Sequence, residues 1–398
     1  MKFFFNLDPK LLFYGFGIIF FASFGQTFFI SIFNAEIRTL YNLTDGQFGL
    51  IYALGTLSSS FILVGFAKLI DHIDLRLYSL IISLGLAITC MSMYSNYQSV
   101  FFLFLIIFGL RFFGQGAMTH AGITTMSRYF GLSRGKAISF ASLGGQFGIM
   151  LLPLTVVALL KVINWSHIWL ASSFSILIVF LPLIFITLNN QSVRHANFHK
   201  TIKKSELTKK WRTREIILDK NFYIYLPLSL AAPFISTGLM FHQIFIINQK
   251  NWTLEMFVGG YILLGLFSII GLAFGGPIID KFNTKKIIIF TLLPLFLGII
   301  TLVFFKNYIS MFVYLSLLGL NMGIGAPFIG SLWAELYGIK SIGNVKALLH
   351  ALTVFASALS PVIFGYIIDI GMGIKTISLI SVIIIIFATI LSIIYQNS

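Results

Sequence analysis

Arg111 stands about twelve residues into a long apolar run, 99–124, that carries no other Asp, Glu, Lys or Arg. At about 1.5 Å of rise per residue it lies some 18 Å along a helix, close to the middle of a hydrocarbon layer about 30 Å thick. A charge at that depth costs about 3 kcal/mol or more unless it faces a cavity or a partner. No other apolar run has an acidic residue at its centre: Glu255, Asp71, Glu335 and Asp369 all stand at or near run ends. The planar guanidinium fork matches a carboxylate in two parallel hydrogen bonds, so anion binding is one chemistry open to Arg111. The other is internal, with the same donors bonding backbone and polar groups of a neighbouring helix.

Neutral polar residues fall at comparable depth. Gln115 follows Arg111 by four and shares its helical face; Gln26 beside Thr27, Gln146 and Asn321 lie well inside other apolar runs. Amides are costly in lipid without partners, so these face the protein interior, as interhelical bonds or as the lining of a binding cavity. Tyr52 and Tyr261 offer hydroxyls for the same purpose, or simply pack. His242, His120 and His350 are the titratable candidates for carrying a coupling proton, the alternative being ordinary hydrogen-bonded helix-end histidines.

The elements that position these residues follow from an internal repeat. The loop AKLIDHIDLR around Asp71 and Arg76 recurs as GPIIDKFNTKK around Asp280 and Lys285, and 280 − 71 gives an offset of 209. Tyr52 and Tyr261, Lys136-Ala137 and Lys346-Ala347, and Pro153 and Pro361 recur at nearly the same spacing. One unit duplicated in parallel is an architecture of membrane carriers. Composition agrees: 58% of the 398 residues are hydrophobic and 10% charged, which requires lipid as solvent for most of the surface.

Twelve apolar runs are long enough to cross a bilayer: 11–33, 47–70, 77–95, 99–124, 137–160, 167–188, 222–247, 255–279, 287–305, 309–334, 346–369 and 376–395. The expected fold is therefore all-α and integral to the membrane, with six-helix bundles at 1–188 and 222–398 and a basic cytoplasmic linker at 189–221. With both termini in the cytoplasm, 21 of the 27 Lys and Arg fall on that side and five (Arg38, Lys161, Lys250, Lys306, Lys375) on the other. The first run follows MKFFFNLDPK without a small-residue cleavage site and reads as a retained helix in the inner (plasma) membrane.

Several classes are excluded. The net charge of +15 is spread over short connections and not gathered among stacking aromatics, so no nucleic-acid partner is expected. The single Cys90 rules out an intramolecular disulfide and a thiolate metal cluster. GLSRGKA at 131–137 has three residues between its glycines and Ala137 in place of Ser or Thr, so it is not a phosphate loop, and no nucleotide, metal or other cofactor is expected.

With its two halves, central linker and repeated loop, the chain resembles a major facilitator superfamily (MFS) transporter along essentially its whole length. The family's loop pattern is Gly, then Asp four residues on, then basic residues. Gly276, Asp280, Lys281, Lys285 and Lys286 match it, whereas the first copy has Ala67 for the Gly, His72 for an Arg and Asp74 for a second Gly. Tyr129-Phe130, Arg134, Ala137, Ala141, Gly144 and Gly148 are similar to the helix 4–5 motif of the monocarboxylate-porter and oxalate–formate-antiporter-like bacterial branch. The first run lacks that branch's acidic-Gly opening, and the eighth lacks its Asp and Arg. RFFGQG, from Arg111 to Gly116, also resembles the helix 4 motif of superfamily antiporters, whose Arg often bonds helix 1.

The resemblance implies secondary transport by alternating access, with a small organic anion such as a monocarboxylate as substrate. Asp71 with Arg76, and Asp280 with Lys285, are expected to hold cytoplasmic helix ends together, with Arg128 and Arg134 as further partners. The rival within transport is efflux of a neutral or cationic metabolite or drug, and outside it a solute sensor built on a carrier fold. Partners are then a small-molecule substrate and the lipid bilayer, the chain being a monomer and not an enzyme.

Overall fold

The computed structural model describes residues 8–130, 133–189, 211, 213–282, 287–338 and 342–396, and these residues are helical with no strand among them. Ten helices are long and apolar enough to cross a membrane, joined by one bent pair and one shorter apolar helix. In chain order we label them α1 (Pro9–Gly25 with Thr27–Tyr41, bent by 44°), α2 (Asp45–Asp71), α3 (Leu75–Tyr94), α4 (Val100–Tyr129), α5 (Arg134–Leu159) and α6 (Trp165–Thr187). The remainder are α7 (Lys220–Phe241), α8 (Leu254–Ile279), α9 (Ile288–Phe304), α10 (Tyr308–Tyr337), α11 (Leu348–Asp369) and α12 (Ile374–Ile394). Most of the linker, 190–210 and 212, lies outside the described residues.

Local chemistry sets the helix ends. Asp8, Asp74, Ser99, Asn164, Asp219 and Asn307 each accept a bond from a backbone N–H of the first turn they precede. Within the helices, the hydroxyls of Ser79, Ser83, Ser172 and Ser381 bond the carbonyl four residues back, so these polar groups do not meet lipid alone. Large apolar side chains, Phe61, Ile178, Val162 and Ile309 among them, point outward, as lipid contact requires.

The chain forms two compact units, one of residues 1–43 and 54–206 and the other of 44–53 and 207–398. In the first, Ala137, Ala141, Gly144 and Gly148 of α5 are buried as one stripe. Gly144 abuts the Phe16 carbonyl of α1 and Gly148 the Ser23 hydroxyl, so the small residues let the two backbones meet. Phe29 and Phe33 of α1 lie 5.2 and 5.1 Å from Trp169 of α6, closing the other side of α1. Cys90 is buried and free.

In the second unit α8 and α10 cross at Gly271 and Gly323, with Gly319 against the Leu264 carbonyl. Trp333 of α10 donates to Ser229 of α7 at 3.0 Å, and Tyr337 to Asp219 at 2.9 Å. A short helix, Gln243–Lys250, follows α7. It carries Lys250, 5% exposed, to the last turn of α9, where its ammonium donates to the carbonyls of Leu302 and of Phe305, the latter at 2.9 Å. These carbonyls lack helical amides, so the lysine caps the helix.

Burial, with Lys306 and Lys375 nearby, lowers the Lys250 pKa. The folded state therefore binds this proton less tightly than the unfolded chain. The penalty is full while both states are protonated and is relieved as pH rises from the lowered value to the ordinary lysine range near 10.4. We expect the denaturation midpoint of purified protein to rise across that interval, and Lys250→Gln to flatten the rise.

Candidate functional site

The break in α1 is the centre of the first unit's polar chemistry. Ala22–Gly25 tightens into a 3-10 turn and Gln26 swings to extended backbone (φ −84°, ψ 153°) before helix resumes at Thr27. The Phe29 amide that would have bonded Gly25 bonds the Gln26 carbonyl instead, at 3.1 Å. Opposite the break, α4 widens into a π-helical stretch, Leu110–Met118, and Gly114 meets Gly25 backbone to backbone. A Cβ on Gly114 would lie 2.7 Å from the Gly25 Cα.

That approach delivers Arg111, which is 1% exposed. Its Nη1 donates to the Gly25 carbonyl at 3.0 Å and to the Thr27 hydroxyl at 3.5 Å, and its Nε to the Thr56 hydroxyl of α2 at 3.1 Å. The guanidinium thus supplies the donor that the broken helix lacks. Gln26 and Gln115 flank the crossing and are half-buried, the Gln115 backbone nitrogen lying 2.9 Å from where a Gly25 Cβ would stand. Gln146 of α5 is also half-buried, and its Oε1 and the Ser23 hydroxyl have no hydrogen-bond partner in the structure.

The remaining candidates are placed elsewhere. Asn321, the repeat counterpart of Arg111, is 2% exposed and donates to the Thr291 carbonyl of α9 at 2.8 Å, which makes it an interhelical tie. Tyr52 is fully buried with its ring 4.6 Å from that of Phe241, and buried Tyr261 donates to the Gln243 side chain. All three make these contacts within the second unit. His120 sits 3.3 Å from Thr124 one turn along α4, and His350 lies on an exposed face near the start of α11.

At the loop ends, Asp71 pairs with Arg128 and not with Arg76. Arg128 also donates to the Ile70 carbonyl at 3.2 Å. Arg76 instead donates to the Leu188 carbonyl at 2.8 Å, because Asp74 caps α3 and turns the arginine toward the end of α6. Arg134 opens α5 exposed; the Asp280 side chain and Lys285 lie outside the described residues.

His242 ends α7, as its position in the sequence suggests, and is 2% exposed. Its Nε2 is 2.9 Å from the Pro361 carbonyl of α11, and its Nδ1 is 3.4 Å from the Asp45 carboxylate at the start of α2. The carboxylate of Asp369, at the end of α11, accepts the Asp45 and Gly46 amides at 3.0 and 2.9 Å. Neither acidic residue stands out in sequence, since each is an unremarkable helix-end Asp; nor does Thr56, a hydroxyl among many. Among the described residues no cluster of three or more His, Cys, Asp or Glu is placed to hold a metal.

Two compact units of long, apolar helices, one helix broken beside a buried arginine, describe a multi-pass membrane protein. The chain belongs to the Major Facilitator Superfamily, whose profile matches residues 15–345. Comparison with curated proteins finds no match. Among solved structures the chain is similar to a bacterial homologue of the human lysosomal transporter Spinster, determined in an inward-facing and unoccupied conformation. The TM-score is 0.69 at 14% identity over 98% of this chain and 97% of that one, a likeness of fold.

Proposed function

We propose that the protein is a secondary active transporter of twelve membrane crossings, with both termini cytoplasmic in the inner membrane, that moves a small organic anion such as a monocarboxylate by alternating access. The observation that carries the reading is Arg111. All twelve acidic residues of the chain stand at or near helix ends or in connections, so Arg111 supplies a positive field at a depth where the sequence has no carboxylate. Gln26 and Gln115 beside it offer amide donors to the same anion. The helix 4–5 motif, with its buried small-residue face, supports the monocarboxylate-porter branch, and the excess of basic residues in the expected cytoplasmic loops supports the orientation.

A second reading rests on a specific contact: Arg111 donates to Gly25, Thr27 and Thr56, a stapling role that suits a carrier of neutral or cationic solutes equally well. Ligand-induced thermal shifts separate the two, because a ligand of the native state raises apparent stability. Parent protein is expected to be stabilised by short-chain carboxylates, Arg111→Lys and Arg111→Gln to lose that response, and Thr56→Val, which keeps the charge, to retain it. Carboxylate shifts that persist in Arg111→Gln would make the arginine purely structural and favour the second reading. A parent that binds solutes but moves none across liposomes would be a sensor.

A further inference from the structure

We propose that His242 and Asp45 form a proton-binding site that latches α2, α7 and α11 together at the end that the proposed orientation places outside the cell. The inference rests on the transporter reading above and adds to it a ligand, the proton, and an operation, tying the start of α2 to α7 and α11.

Two acceptor atoms approach each other at this site. The Pro361 carbonyl is only an acceptor, so His242 must present a proton on Nε2 at 2.9 Å. In the neutral ring Nδ1 is then a bare lone pair, and it faces the Asp45 carboxylate at 3.4 Å, acceptor against acceptor. Nδ1 has no hydrogen-bond partner, although the residue is 2% exposed. A buried nitrogen in that position is costly unless a proton lies between it and the carboxylate. Protonation turns the opposed lone pairs into a charge-assisted bond while Nε2 keeps its carbonyl. One ring then joins the start of α2 to the middle of α11 from the end of α7.

The rest of the assembly is built around this link. The Asp369 carboxylate caps the first amides of α2, where the helix dipole favours an anion. Gly49 abuts the Pro361 carbonyl and Gly365 the Asp45 backbone, so α2 and α11 touch along their main chains. Residues 44–53 of α2 group with the second unit, whereas the same helix from Leu54 onward belongs to the first. The latch therefore lies wholly within the second unit, at the first turns of α2.

The charged groups at the site can be enumerated by element. Asp45 comes from α2 and Asp369 from α11. Lys250, on the short helix following His242, is committed to the end of α9, and Lys375 at the start of α12 is exposed. Gln243 accepts from Tyr261, and Tyr52 stacks on Phe241; both are neutral. His242 is thus the imidazole at this site, between the Pro361 carbonyl and the Asp45 carboxylate.

Hydrogen exchange of the full chain in lipid nanodiscs tests this without any substrate. After correction for the intrinsic pH dependence of exchange, amides of 44–49 and 362–369 are expected to be roughly tenfold more protected at pH 5.5 than at pH 8, the scale of one charge-assisted bond. His242→Gln, whose amide still donates to Pro361 but does not titrate, should show equal protection at both, and Asp45→Asn likewise. Unchanged pH dependence in His242→Gln, or none in the parent, overturns the proposal. If one variant fails to fold, the parent and the other variant decide. Loss of the carboxylate response in the preceding experiment leaves this measurement intact, and failure here leaves the Arg111 reading intact.

Discussion

Arg111→Gln lowers the thermal midpoint of the purified protein well below that of the parent, and further than Thr56→Val does. The ordering follows from what each change strands. Gly25 sits at a helix break where the Phe29 amide has turned to Gln26, so its carbonyl depends on the arginine at 3.0 Å. Glutamine is too short to reach it from α4, and a buried acceptor left unpaired costs about 1–3 kcal/mol. The Thr27 hydroxyl loses its donor as well. Thr56→Val removes a single bond, at 3.1 Å to Nε, and leaves the bonds to Gly25 and Thr27 in place. Scanning fluorimetry or circular dichroism on matched preparations measures both. Equal midpoints for parent and Arg111→Gln would mean that the break in α1 is held by something other than this staple.

Gly114→Ala is the second large effect, and here the obstacle is backbone. A methyl at that position would meet the Gly25 Cα at 2.7 Å and the Gly25 nitrogen at 2.9 Å, neither of which can rotate aside. Overpacking costs about 1–3 kcal/mol where side chains absorb it, and more where main chain must move. We expect a large loss of folded yield and of thermal midpoint, with the Arg111 bonds weakened because α4 is pushed from α1. Gly276→Ala is the control, since a methyl there meets nothing within 4 Å and alanine favours helix. If both variants melt with the parent, the α1–α4 crossing is looser than the structure describes.

Some features were legible because they depend on one segment at a time. Apolar runs in the sequence correspond to the helices to within a few residues, except that α1 and α4 reach further, to Tyr41 and Tyr129, and α7 stops at Phe241, short of 247, before the separate helix Gln243–Lys250. The stripe of Ala137, Ala141, Gly144 and Gly148 declared a close helix contact, and its partner proved to be α1. His242 could be placed at the end of α7 by counting. Partner choice was not legible in the same way. Asp71 and Arg76 are five apart and suggest a local pair with Arg128 and Arg134 as further partners; the aspartate takes Arg128, and Arg76 goes to the Leu188 carbonyl. Nor does the sequence say that the Tyr261 hydroxyl meets Gln243, that the Asn321 amide meets the Thr291 carbonyl, or that the Tyr52 ring lies on Phe241.

The amino-acid sequence by itself determined the solvent, the helices and the duplication, because hydrophobicity, run length and repeat offset are properties of residues in order along the chain. It also determined that Arg111 must be buried, since lipid leaves a charge at that depth nowhere else to go. Which atoms meet that charge was decided only by tertiary structure. A hydrogen bond between helices forms or fails over a few tenths of an ångström, and that distance is set by where distant small residues let backbones touch: Gly25 against Gly114 for the arginine, and Gly49 and Gly365 at the α2–α11 contact beside His242.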